Sequence, residues 1–173
     1  MTFRNMEWAD IPAGLSLCRS AGWNQLRRDW EVFLRHDPKG NIVCVGDDGN
    51  VVGTVATIRY SDRLAWIGMV LVDPNHRRKG IGLSLLENAL DIVKDVHSIK
   101  LDATPAGREV YVKLGFEDEH GLSRMCVSSW STQNLSSSVA APLTSEDLDG
   151  VALIDQRVFG ADRKELLHWM LDG

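Results

Sequence analysis

The spacing of apolar positions changes twice along the chain. Over residues 11–34 it is helical. Asp10 stands where a cap would open a first helix over 11–21, closed near Gly22. A second helix runs through Leu26, Trp30, Val32, Phe33 and Leu34 and stops before Pro38. From residue 42 the period shortens to that of strands. Segments 42–45 and 51–58 flank Asp47-Asp48-Gly49-Asn50, a hairpin signal, and Ser61-Asp62-Arg63 turns the chain into a third strand, Leu64–Val72. Three consecutive antiparallel strands are predicted.

Helical spacing returns over 81–96, where Leu85, Leu86, Ala89, Leu90, Val93 and Val96 share one face. A strand at 99–103 follows, so strand, helix and strand form a right-handed crossover with parallel strands. Alternation sets Lys100, Asp102 and Thr104 on one face of that strand and Ile99, Leu101 and Ala103 on the other. Thr104-Pro105 caps a short helix that ends at Leu114-Gly115-Phe116, and 116–119 with 122–127 read as a closing pair of strands. A polar linker is placed at 131–141. Beyond it, Thr144 opens a helix with Leu148, Val151, Ile154 and Val158 on one face, and Asp162-Arg163-Lys164-Glu165 opens another with Leu166, Leu167 and Met170. Asp10-Ile11 and Asp147-Leu148 thus begin similar helical pairs. The expected division is a domain over 1–130, the linker, and a helical hairpin over 142–173. A hairpin this short has no core of its own, so it is expected to pack on the first domain or on another copy, or to begin an incomplete second lobe.

Composition narrows the classes. At 173 residues, 44% hydrophobic and 25% charged, this is globular protein, and a net charge of -5 argues against non-specific nucleic-acid binding. Cys18, Cys44 and Cys126 are odd in number and lack a C-x-x-C pair, no hydrophobic leader is seen, and the longest apolar run, Leu64–Val72, is far short of the ~20 residues of a membrane span. A cytoplasmic location without membrane partners is expected. The five histidines show no metal-ligand spacing.

The chemistry centres on Asp73-Pro74-Asn75-His76-Arg77-Arg78-Lys79-Gly80-Ile81-Gly82-Leu83-Ser84. Two glycines at the start of a helix let the backbone approach a ligand, the first helical N–H groups are unpaired, and three cations surround them: a phosphate cradle, or else an ordinary turn with solvated charges. A dinucleotide fold would also use Gly80 and Gly82, with Asp102 as the ribose acid, but its third glycine position is Leu85 and a hairpin precedes the strand. The absence of Gly-Lys-Ser/Thr excludes a nucleoside-triphosphate loop.

Arg77-x-x-Gly80-x-Gly82 and Val110-Tyr111-Val112-Lys113-Leu114-Gly115-Phe116, in this order and on these elements, resemble the GNAT superfamily of N-acetyltransferases over residues 3–127. The resemblance implies a mixed α/β fold with a mostly antiparallel sheet, a central parallel pair splayed for coenzyme A, and helices on both faces. It implies acetyl-coenzyme A as acyl donor and a small-molecule or peptide primary amine as acceptor, joined by direct attack through a tetrahedral intermediate. The pantetheine arm would pair with the backbone of Met69, Val70, Leu71 and Val72. The pyrophosphate would lie on Arg77, Arg78, Lys79, Gly80, Ile81, Gly82 and Leu83, with Ser84 as a side-chain donor and Thr104 nearby. Val70 would hold the oxyanion through its N–H, and Tyr111 would donate to the departing sulfur. Many members carry a glutamate on the fourth strand; here Trp66-Ile67-Gly68-Met69-Val70 has none, which leaves Asp102, a water-mediated base or an already neutral amine, and keeps open a non-catalytic acyl-coenzyme A sensor. Trp8, Trp23, Trp30 and Trp66 are candidates for the core or for an apolar acceptor pocket. The run from Asp102 to Arg108 also resembles bacterial members with tandem lobes.

Overall fold

The computed structural model describes residues 1–127, 129 and 141–171. Five strands pair in chain order: β1 (Thr2–Asn5), β2 (Asn41–Val45), β3 (Val51–Tyr60), β4 (Leu64–Val72) and β5 (Ser98–Leu101). The first four are antiparallel and β4–β5 is parallel. Between β1 and β2 lie a 3-10 turn at Trp8–Asp10 and helices α1 (Ile11–Ser20) and α2 (Arg27–His36). Helix α3 (Ile81–Ile92) makes the crossover, and α4 (Pro105–Tyr111) follows β5. After the linker come α5 (Leu148–Phe159) and α6 (Lys164–Leu171).

The sheet is covered on both faces, as the apolar pattern requires. On one side α1 and α2 bury Ile11, Leu17, Cys18, Trp30 and Leu34 against Val43, Ala56, Met69 and Leu71. On the other, α3 buries Ile81, Leu85, Leu86 and Ala89 against Ile42, Val52, Val55 and Ile67. Each buried valine, leucine, isoleucine or methionine among them contributes roughly 1.5–3 kcal/mol relative to exposure. Gly14 lets α1 lie on the Trp30 ring; a Cβ there would stand 2.9 Å from it.

Several details depart from the sequence expectation. β1 is an added edge strand whose four residues are all exposed. The Asp10 side chain does not cap α1; it accepts from the Glu7 N–H at 2.8 Å, closing the preceding 3-10 turn, and pairs with Arg4. Helix α3 stops at Ile92 and β5 at Leu101, each a few residues early. The closing strands at 116–119 and 122–127 are not formed. Among the described residues β5 is the sheet's edge, and the segment after Phe116 leaves that edge unpaired. Its acids instead pair backwards, Glu119 with Lys100 and Asp118 with Arg108.

The hairpin packs on the first domain. Phe159 meets Tyr60 edge-on with ring centroids 5.1 Å apart and Trp66 at 5.9 Å, while Ala161 and Leu166 join Ile58, Leu64 and Phe33. The Arg28 guanidinium donates to the carbonyls of Trp169 and Met170, both at 2.8 Å, and lies over the Trp169 ring. Most of the polar linker, residues 131–140, lies outside the described residues. Among the described residues no helix is long and apolar enough to cross a membrane.

Candidate active site

The site begins where β4 outlasts its neighbour. Parallel pairing runs from Leu64↔Ser98 to Ile67↔Leu101 and ends there. β5 stops because Thr104 caps α4, its Oγ1 accepting from the Gly107 N–H at 3.1 Å, with Pro105 at the first helical position. Residues 68–72 therefore continue with β3 on one side and no strand on the other among the described residues.

Within this stretch the strand bulges. Thr54 pairs with Leu71 and Ala56 with Gly68, so Val55 alone faces Met69 and Val70. Met69 takes a left-handed conformation, φ 52°, although it is 7% exposed and not glycine, a strain of about 1–3 kcal/mol that its surroundings must hold. Its carbonyl accepts from Thr54 Oγ1 at 2.8 Å.

The loop beyond β4 gathers three cations around the uncapped start of α3. Asp73 Oδ1 accepts from the Asn75 N–H at 2.8 Å and lies 3.3 Å from His76 Nδ1; those contacts hold its carboxyl below the usual carboxylate range and tie His76 down. Arg77 Nε donates to the Val72 carbonyl, and Arg78 (φ 60°) and Gly80 (φ 81°) turn the backbone into α3. Gly80 supplies no side-chain cap, so the N–H groups of Ile81, Gly82 and Leu83 have no partner within the helix, whereas Ser84 N–H already bonds the Gly80 carbonyl. Arg77, Arg78 and Lys79 are exposed around them. A Cβ on Gly82 would lie 3.6 Å from Val72 Cγ2, so a large side chain would occupy the gap between helix start and strand end. These groups fit a pyrophosphate followed by an extended amide-bearing arm: unpaired N–H groups, three cations and a half-open strand in sequence.

A cleft of about 590 Å³ opens beside β5. Tyr111 and Asp102 both line it, with Trp66, Lys100, Arg108 and residues 116–122. Tyr111 is half-buried against Phe116, ring centroids 6.2 Å apart, and packs with Val70 and Val72 on the apolar cluster under α3. Burial pushes its phenol pKa up. A Cβ on Gly107 would come within 3.1 Å of the Tyr111 hydroxyl, so glycine there gives the ring its room. Asp102 is exposed and has no hydrogen-bond partner among the described residues. The Thr104 hydroxyl is already engaged as the α4 cap.

The structure thus brings Tyr111, Asp102 and the splayed main chain to one end of the sheet. Of the tryptophans, Trp30 is fully buried and Trp8 is 45% exposed with Arg35 over its ring; Trp66 alone of the four lines the cleft. Arg108 and Thr54 were not read as site residues from the sequence; Lys100, placed by strand alternation on one face with Asp102, is the register partner of Trp66. No group of three or more His, Cys, Asp or Glu is placed to hold a metal among the described residues.

Comparison with known proteins agrees with this geometry. Residues 3–116 match the family described as Acetyltransferase (GNAT) family. The chain is 31% identical over 151 residues to a holothin acyltransferase of Pseudoalteromonas sp. (strain SANK 73390), covering 87% of this chain and 50% of that protein. It is 27% identical over 160 residues to the uncharacterized N-acetyltransferase YitH of Bacillus subtilis (strain 168), covering 91% and 55%. A putative acetyltransferase from Pyrococcus horikoshii superposes with TM-score 0.75 at 23% identity, over 99% of this chain and 61% of that one. The chain spans about half the length of the curated relatives it matches.

Proposed function

The chain belongs to the acetyltransferase (GNAT) family, and from that premise we propose that it moves an acetyl group from acetyl-coenzyme A to a primary amine. The observation that carries this reading is the parting of β4 from β5 next to the anion loop. Free main-chain groups on 69–72 pair with the pantetheine amides as a sheet edge pairs with a peptide strand. The N–H groups of Ile81, Gly82 and Leu83 and the cations of Arg77, Arg78 and Lys79 hold the pyrophosphate, with Ser84 Oγ in reach as a further donor.

The reaction forms one C–N bond and breaks one C–S bond. The amine nitrogen attacks the thioester carbonyl, whose oxygen gathers charge and is met by the Val70 N–H. Collapse expels the thiolate, and the proton lost by the amine ends on sulfur, giving amide and thiol. Tyr111 donates a hydrogen bond to the leaving sulfur. Its raised pKa favours that role over complete transfer of its own proton, since a phenol of pKa ~10 is already a weaker acid than a thiol at ~8.5. A lysine-like amine of pKa ~10.4 is neutral in roughly one molecule in two thousand at pH 7, so it needs a base; that role falls to Asp102, which lines the cleft just past the end of β5 and, like Glu117, carries no bond to a neighbour among the described residues. The unpaired thiols of Cys18, Cys44 and Cys126 suit a cytoplasmic setting.

The helical hairpin is proposed to be the opening of a second lobe. A local repeat supports it. In each unit an acid closes a 3-10 turn by accepting from an N–H three residues back, Asp10 from Glu7 at 2.8 Å and Asp147 from Thr144 at 3.0 Å. A ten- to twelve-residue helix follows, then a left-handed glycine, Gly22 or Gly160, then a second helix.

The test is calorimetric titration with acetyl-coenzyme A, followed by thiol release with benzylamine, aniline, spermidine and a lysine peptide. Micromolar binding with thiol release for at least one amine is expected. Binding without release for any of them would favour the sensor, a reading sustained by the lack of a carboxylate on β4. Failure to bind acetyl-coenzyme A would remove both.

A further inference from the structure

We infer that Thr54 is a positioning residue for acyl transfer: its hydroxyl pins the Met69 carbonyl and thereby aims the Val70 N–H into the gap beside β4. The inference rests on the acetyltransferase reading for its kinetic consequence, but not for its geometry.

The Met69 carbonyl and the Val70 N–H belong to one peptide group. All peptide bonds among the described residues are trans, so the two point in opposite directions across a rigid plane. At the bulge that plane is not set by regular pairing, because two residues of β4 stand opposite the single Val55. It is set by Thr54 on β3, whose Oγ1 donates to the Met69 oxygen at 2.8 Å in a wholly buried position. Holding the carbonyl toward β3 turns the Val70 N–H away from β3. That is the side on which β4 has lost β5, since pairing ended at Ile67↔Leu101. The left-handed Met69 is the backbone's response to this twist: without the pin, a buried non-glycine residue would relax toward the ordinary extended region and turn the N–H back into the sheet. The same strand carries an internal control. Thr57, one register pair beyond the bulge, is equally buried, but its hydroxyl bonds the Gly40 carbonyl ahead of β2 at 3.0 Å and not β4.

The experiment compares Thr54→Val, which keeps the shape and removes the hydroxyl, with Thr54→Ser, which restores it, and with Thr57→Val. All are made in the 173-residue chain. Turnover is read as thiol release from acetyl-coenzyme A with whichever of the four amines above is fastest for the unaltered chain. Thr54→Val is expected to lower kcat about tenfold or more while acetyl-coenzyme A affinity stays within about threefold, the pattern of a contact made in the transition state. Thr54→Ser is expected to recover most of the rate, and Thr57→Val to lower stability without lowering kcat. Unchanged kcat in Thr54→Val, equal loss in Thr54→Ser, or equal loss in Thr57→Val each overturns the inference. If valine at 54 prevents folding, Thr54→Ala takes its place. A second readout needs no turnover: the amide resonance of Val70 in ¹⁵N-labelled protein should move in Thr54→Val and stay in Thr57→Val. An unmoved Val70 resonance in Thr54→Val overturns the pin even if the enzyme reading stands. A moved resonance in a chain that acetylates none of the four amines keeps the pin and counts against the enzyme reading.

Discussion

Between residues 64 and 67, β4 has a hydrogen-bonded neighbour on each side; between 68 and 72 it has β3 alone among the described residues. Both halves are apolar and both alternate between the two faces of the sheet. Ala65 and Ile67 in the first half are almost fully buried, as are Met69 and Leu71 in the second. Hydrophobicity therefore does not distinguish the structural half from the functional one. The difference is imposed from next door, where Thr104-Pro105 ends β5 and starts a helix while β4 runs on, and from across the sheet, where the bulge rotates the Met69-Val70 peptide. One strand carries both framework and site because its neighbours treat its ends differently.

That contrast can be broken from either end. The largest effect is expected from Gly82→Trp, whose indole fills the space beside Val72 at the open half. Acetyl-coenzyme A affinity should fall more than about a hundredfold, a loss above ~2.7 kcal/mol by calorimetry, with the circular dichroism spectrum unchanged. Ile67→Ala strikes the closed half, where Ile67 is 1% exposed. It should cost about 2–5 kcal/mol in urea unfolding while the folded protein binds acetyl-coenzyme A as before. Tyr111→Phe returns to the open side with a finer change: kcat lower by about tenfold, affinity within about threefold and the melting temperature nearly unmoved. Unchanged turnover would take Tyr111 out of the reaction.

The smallest effect lies at the far edge of the sheet and bears on the framework alone. Bonds from Arg4 and the Glu7 N–H hold the Asp10 carboxyl below its ordinary range. A carboxylate whose pKa is lowered on folding stabilises the fold above its unfolded pKa of ~3.9, and that contribution is lost as pH falls through the lower, folded value. Arg4→Met should therefore lower stability by up to about 1 kcal/mol at pH 7, with the difference from the unaltered chain shrinking toward pH 3 in urea titrations. Kinetics at pH 7 should not change.

The limits of β4, the basic loop, the start of α3, the parallel partner and the two late helices were all legible in the sequence, because each is written in apolar spacing or in local cap and glycine chemistry. The bulge was not. Nothing in Trp66-Ile67-Gly68-Met69-Val70 marks Met69 as left-handed, and the threonine that holds it is indistinguishable on paper from any β-branched strand residue. β1 escaped because its four exposed residues show no buried face; its pairing is supplied by β2. The segment 122–127 erred in the other direction. Its apolar residues Leu122, Met125, Cys126 and Val127 read as a strand, yet Met125 is 88% exposed, because apolar content does not supply a pairing partner.

The clamp of Arg28 on the last carbonyls of α6 joins groups 141 residues apart in the chain. It sets an order of assembly. During synthesis, helix α2 and the sheet leave the ribosome long before Trp169 exists, and domains generally fold as units with the N-terminal part first. For that interval Tyr60, Leu64 and Trp66 are without the cover of Phe159 and Ala161. Until the hairpin has been made and can dock, that aromatic face of the sheet has no cover from it.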